Sequence, residues 1–232
     1  RLNVTIMVLD LTNVAYSAEY QTVCNEQDML FAPTNKGDVD VISLEQKYEV
    51  EVVSYQWKSP EGGVCSGHLG TLYCGKERLH SWKCYDDSSS FFRLIHHSDG
   101  NDYLLFRQEL YGFSVYNITT DESFQYLPKE SFGEGETFIW TEVSYHAEHN
   151  LLAVSGCYWA CPWSVYIVDF ASPLSVPKFQ LDIRDYIDGA AGCEEIDDVD
   201  FETWLDDGVL LKCDKGGLNV VRKVLYKDLL PQ

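Results

Sequence analysis

An apolar triplet, a turn and a second, often alternating, apolar run recur five times along this chain. Met29–Phe31 precedes Val39–Ile42, Thr71–Tyr73 precedes Leu79–Trp82, and Tyr103–Phe106 precedes Phe113–Tyr116. Leu151–Val154 then precedes Val165–Val168, and Val209–Leu211 precedes Leu218–Val221. Short runs with a two-residue period, bounded by turn residues, predict strands. The stretches ahead of the triplets, Val14–Cys24, Ser54–Cys65, Phe91–His97, Thr137–Tyr145 and Val199–Trp204, are strand-like or mixed. Further candidate strands follow some pairs, most clearly Tyr48–Gln56, Phe124–Leu127 and Lys178–Ile183. That makes about four strands per unit.

Counted from Leu30, Leu72, Leu104, Leu151 and Leu210, the units are spaced 42, 32, 47 and 59 residues apart. The spacing is uneven, but its mean lies near the period of a propeller blade. The expected fold is all-β: a five-bladed β-propeller in which the N-terminal strand Asn3–Leu9 completes the C-terminal blade. Closure of that kind hides strand edges. A β-sandwich or open barrel with similar strand spacing is the alternative. Helical periodicity is poor, with short helical turns expected only within Leu181–Ile187 and Lys223–Leu230. Gly216-Gly217 reads as a hairpin turn.

Composition adds constraints. The 232 residues are 45% hydrophobic, enough for one sizeable core, and 1–232 is read as a single propeller-like domain. The chain carries 17 Lys+Arg against 37 Asp+Glu, a formal net charge of -20. Such a field repels nucleic-acid phosphates and anionic membranes and attracts basic proteins. No run is long enough to be a membrane-spanning helix. Residues 2–9 read as a strand rather than a signal peptide. A cytoplasmic location is therefore expected, with the 8 cysteines mostly reduced and buried.

Residues 136–141 and 156–163, with Asp102–Arg107 and Leu110–Val115, resemble a family of uncharacterised bacterial proteins with β-propeller-like (WD40-like) repeats. The likeness spans roughly residues 99–175. It implies a bacterial origin and a β fold, and it carries over no catalytic residue.

The chemistry is sparse. In Gly156-Cys-Tyr-Trp-Ala-Cys-Pro-Trp163 the two cysteines are separated by three intervening residues, which suits neither a redox pair nor a standard zinc knuckle. His146, His149, Cys157 and Cys161 would form a zinc site if all four met at one point. The other reading of this segment is an aromatic-packed connection between two central strands, with Pro162 ending the pairing. Trp159 and Trp163 are either packing between strands or a binding face, and exposure decides between them. The acidic run Glu194, Glu195, Asp197, Asp198 and Asp200 suits a basic partner. Its alternation with Ile196, Val199 and Phe201 suits a strand with one solvated face, and it lacks the spacing of a calcium-binding hand. His96 and His97, beside Asp99 and Asp102, read as a strand-end cap, since no nucleophile motif accompanies them.

These features point to a non-catalytic interaction protein, with no cofactor, whose acidic surface docks a basic protein. An inhibitor or immunity-type role fits that description. A glycan-active enzyme or lectin built on an axial pocket is the rival, and it requires two convergent carboxylates.

Overall fold

A computed structural model describes residues 10–85, 91–132, 135–159, 162–187 and 196–230. Every sheet in it is an antiparallel meander whose strand order in space equals its order in sequence. The strands fall into two compact units, one of residues 13–132 and one of residues 135–230 with 10–12.

In the first unit, one sheet contains β1 (Lys36–Leu44), β2 (Tyr48–Lys58), β3 (Val64–Cys74) and β4 (Glu77–Cys84). Another contains β5 (Arg93–His96), β6 (Asp102–Phe106), β7 (Phe113–Asn117) and β8 (Glu122–Tyr126). Their facing sides bury Tyr48, Val50, Leu72 and Trp82 against Leu104, Phe106 and Tyr116. Trp82 and Phe106 meet with ring centroids 4.1 Å apart. Complete burial of a side chain such as Leu72 or Leu104 stabilises the fold by about 1.5–3 kcal/mol.

The second unit has a sheet of β9 (Ile139–His146), β10 (Leu151–Cys157), β11 (Trp163–Asp169) and β12 (Gln180–Asp182). A three-stranded sheet of β13 (Val199–Leu205), β14 (Gly208–Lys215) and β15 (Leu218–Leu225) is its companion. Alternation along β10 and β11 places Leu151, Ala153, Val165 and Ile167 on one face, where they share a core with Val199, Val209, Leu211 and Val224. Gly216 and Gly217, with φ of 59° and 81°, form the β14–β15 turn, whose two left-handed positions favour glycine.

The all-β reading holds, and so do the strands from β5 onward. The five units do not become five sheets: the described residues hold four, none of them closed. The first two sequence units fold together, since Val39–Ile42 lies in β1 and Thr71–Tyr73 and Leu79–Trp82 lie in β3 and β4 of the same sheet. Met29–Phe31 is not a strand but part of a 3-10 turn that buries Leu30. The Val14–Cys24 stretch is a second correction, because most of it belongs to α1 (Ala18–Gln27). Ser17 caps that helix, its hydroxyl accepting the Tyr20 N–H at 3.2 Å, which satisfies an otherwise orphaned donor. Short helical turns form where expected, a 3-10 turn at Ile183–Tyr186 and α2 at Tyr226–Leu229. The strand Asn3–Leu9 and its proposed closure lie outside the described residues. No helix among the described residues is long and apolar enough to cross a membrane.

Candidate functional site

The site is built on the β10–β11 hairpin. Pairing along it runs from Leu151↔Asp169 to Cys157↔Trp163, so Trp163 is the first residue of a central strand. The Gly156 backbone packs too tightly for any side chain, since a Cβ there would lie 2.0 Å from the Ile139 carbonyl oxygen. A bulge in β9 sits at the same level: Ser155 pairs with Glu142 but Gly156 with Trp140, leaving Thr141 as the extra residue. Phe138 stacks on Tyr166 at 3.9 Å, and the Tyr158 and Tyr166 hydroxyls are hydrogen-bonded. Burial pushes both phenols above their ordinary pKa, keeping them neutral.

Trp163 lies on the same face as Val165 and Ile167 but at its rim, beyond the core they form. It is 41% exposed, and Trp159 is 61% exposed. These two side chains are therefore a surface, while Trp140 and Tyr166 provide the packing.

The acidic segment meets Trp163 at this rim. The Asp198 carboxylate accepts the Trp163 backbone N–H at 2.9 Å. Arg184 closes the junction by donating to the carbonyls of Trp163 and Asp197, both at 2.6 Å, and of Ile196 at 3.0 Å. Its own position is set by Asp182, which accepts the Arg184 N–H at 3.1 Å and the Ser164 hydroxyl at 2.6 Å. Asp197 is exposed, accepting the Gly216 N–H at 3.2 Å, and Asp200 is exposed on β13. Burial, and then the neighbouring charge of Asp182, raises the Asp185 pKa above its ordinary value. The result is an exposed tryptophan whose main chain is held by Asp198, a second exposed tryptophan on the same hairpin, and a guanidinium at the junction turned toward main-chain carbonyls. Such a surface suits lysine and arginine through charge and through cation–π contact.

Of the residues expected to bind a partner, Trp163, Asp197 and Asp198 are brought together, Trp159 lies on the same hairpin, and Asp200 continues along β13. Glu194 and Glu195 lie outside the described residues. Sequence reading missed Arg184, although a lone cation between acidic neighbours in the segment Asp182–Asp185 was a signal that its charge is used locally.

The zinc reading requires correction. His146 pairs with Leu151 and Ile139 pairs with Cys157, so His146 and Cys157 stand at opposite ends of β10. Six residues of strand separate the two levels by about 20 Å, far beyond a common ion. His146 and His149 instead stack on each other at 5.3 Å and contact Tyr226, with His146 also against Trp204. Burial, with His149 beside it, lowers the His146 pKa. Cys161 lies outside the described residues, and no cluster of three or more metal-binding side chains occurs among those described.

The described cysteines are less buried than expected. Cys84 and Cys213 are in the core, but Cys65 is exposed and Cys24, Cys74 and Cys157 are half-buried. The histidine pair does cap a strand end: His96 lies between Asp102 at 2.6 Å and Glu45 at 2.8 Å, while buried His97 accepts the Asp99 N–H. Four cavities in the first unit are lined by at most one carboxylate each, Asp40, Glu26 or Glu109, whereas glycoside hydrolysis commonly uses two. No protein-family model matches the chain, and no curated protein matches it.

Proposed function

We propose that this chain is a non-catalytic interaction module that docks a basic protein partner on the Trp159–Trp163 edge and its bordering carboxylates. The observation that carries this reading is the hydrogen bond from the Trp163 backbone N–H to the Asp198 carboxylate, because it ties the main chain of an exposed tryptophan to the acidic segment. Exposed tryptophan is a frequent energetic anchor of protein interfaces, and a negative rim speeds encounter with a positive partner. An inhibitor or immunity-type role is a specific form of this reading, in which the surface covers the basic groove of a target. Each four-stranded meander has the strand order of a propeller blade, which supports a propeller-like scaffold for the surface.

The test is parallel affinity capture from a host lysate at low salt, with wild type and a Trp159→Ala/Trp163→Ala double variant as baits. A stoichiometric basic protein held by wild type, absent from the double variant and released by salt is the expected result. Equal recovery by both baits, or recovery by neither, overturns the assignment.

A further inference from the structure

We infer that the outer edge of β1, together with the cavity beside it, accepts an extended basic segment of a partner chain by strand addition. The observation is independent of the tryptophan surface, because it belongs wholly to the first unit. β1 spans nine residues and ends its sheet, pairing only with β2 among the described residues. Eight of the nine are exposed, including Val39, Val41 and Ile42. Sheet edges are usually blunted by proline, charge (lysine above all), shortness or a bulge. Here the lysine, Lys36, and the one irregularity, between Lys36 and Val39, are confined to the start of β1. Beyond them pairing is unbroken from Val39↔Val53 to Leu44↔Tyr48. The charges along the edge, Asp38 and Asp40, are acidic, which deters an acidic chain but not a basic one.

Beside this edge is a cavity of about 120 Å³ lined by Asp40, Ile42, Val52, Trp82 and Phe92, among others. It follows a row of the sheet in which Asp40 pairs with Val52, Val52 with Gly70, and Gly70 with Trp82, so all four share one face. Gly70 leaves room for the Trp82 indole to fold back over it: a Cβ at that position would lie 2.2 Å from the ring. The row thus has a carboxylate at the edge and an apolar floor behind it. The volume is near that of a cavity that admits one benzene ring, so it suits one side chain rather than a larger ligand.

A strand added beyond β1 would lie about 4.8 Å from it, within reach of a lysine or arginine stem. The stem would cover Ile42 and Val52 while the cation meets Asp40. Main-chain pairing supplies affinity in this mode, and the side-chain pocket supplies selectivity. A second copy of the chain is a poorer occupant. Antiparallel pairing of β1 with itself would bring Asp38 and Asp40 of two highly acidic chains together, and like charges across strands are destabilising.

The experiment uses three fluorescent nine-residue peptides with alternating polar and valine positions. The first carries lysine at the polar positions, the second glutamate, and the third is the lysine peptide with a central proline. Anisotropy titrations use wild type, Asp40→Lys and the Trp159→Ala/Trp163→Ala variant, each confirmed folded by circular dichroism. The lysine peptide should bind wild type and the double-tryptophan variant equally, and bind Asp40→Lys at least about tenfold more weakly. The glutamate and proline peptides should bind poorly, and β1 amides should gain hydrogen-exchange protection with the lysine peptide. Absence of binding, equal binding by Asp40→Lys or of the proline peptide, or absence of β1 protection overturns the inference. Sedimentation showing a dimer that Val41→Lys dissociates would assign the edge to self-association instead, which also overturns it. Loss of peptide binding in the double-tryptophan variant alone would return the interaction to the other surface.

Discussion

Asp198 and Trp163 are held together through both main chain and side chain. The Asp198 carboxylate takes the Trp163 N–H, and Arg184 binds the Trp163 carbonyl together with that of Asp197, the residue preceding Asp198. One planar guanidinium thereby fixes the start of a central strand to the start of an edge strand.

Arg184→Ala should therefore destabilise the second unit. Loss of three charge-assisted bonds to carbonyls predicts about 2–4 kcal/mol in urea denaturation. Arg184→Lys should recover less than half of that, because an ammonium lacks the planar fork. A change below about 0.5 kcal/mol for Arg184→Ala would mean that the junction carries no stability.

Trp159→Ala and Trp163→Ala should separate binding from folding. Their exposure predicts stability losses of about 1 kcal/mol or less each. Thermal melts of the single variants check this, and a large loss for either would reassign that indole to the core.

His96 gives a pH signature in the first unit. Its hydrogen bonds to Asp102 and then to Glu45 raise its pKa above the ordinary histidine value, because both carboxylates favour the imidazolium. The folded pKa exceeds the unfolded one, so the stabilisation is complete below about pH 6.5 and is lost as pH rises through the folded value. Wild type should exceed His96→Gln in melting temperature at pH 5.5, with the gap narrowing by pH 9. A gap that widens with pH would contradict the assignment.

Asp185 has the opposite consequence for folding. Its raised pKa means that the folded state disfavours the ionised form, so Asp185→Asn should raise the melting temperature at pH 7. The advantage should disappear as pH falls below the ordinary aspartate value of about 3.9, where both states are protonated. Matched melts at pH 7 and pH 3 test the sign.

Gly70→Val should disrupt the Trp82 side of the first core. The added carbons would occupy the indole position, predicting a loss of about 1–3 kcal/mol and displacement of Trp82. Unchanged stability with unchanged near-ultraviolet dichroism would show that the ring has another place to go.

The strands from Arg93 onward were legible in two ways. β6, β7, β10 and β11 are buried on both faces and show as short apolar runs bounded by turns. β13 and β15 expose much of their length and show as mixed apolar and polar runs. The first 85 residues were harder to read. Met29–Phe31 has a strand-like composition, but Leu30 buries alone from a 3-10 turn while Met29 faces solvent, so the triplet had no alternating continuation. The α1 helix was missed because its apolar residues form no continuous stripe; of its ten residues only Tyr20 is buried. At the candidate site, the tryptophans and aspartates were visible as residue types. Their meeting was not, because it depends on a side chain 35 positions away from the main chain it binds. The zinc set failed for a related reason: proximity along the chain says little when a full strand lies between the residues.

The identity of spatial and sequential strand order bears on how the chain is made. Each strand needs only the one just before or after it, so every sheet can form from a short stretch of newly synthesised polypeptide. Contacts this local have a low loop-closure cost and favour rapid folding. A sheet that forms before the next is synthesised also leaves fewer exposed strands at any moment, which limits aggregation during translation.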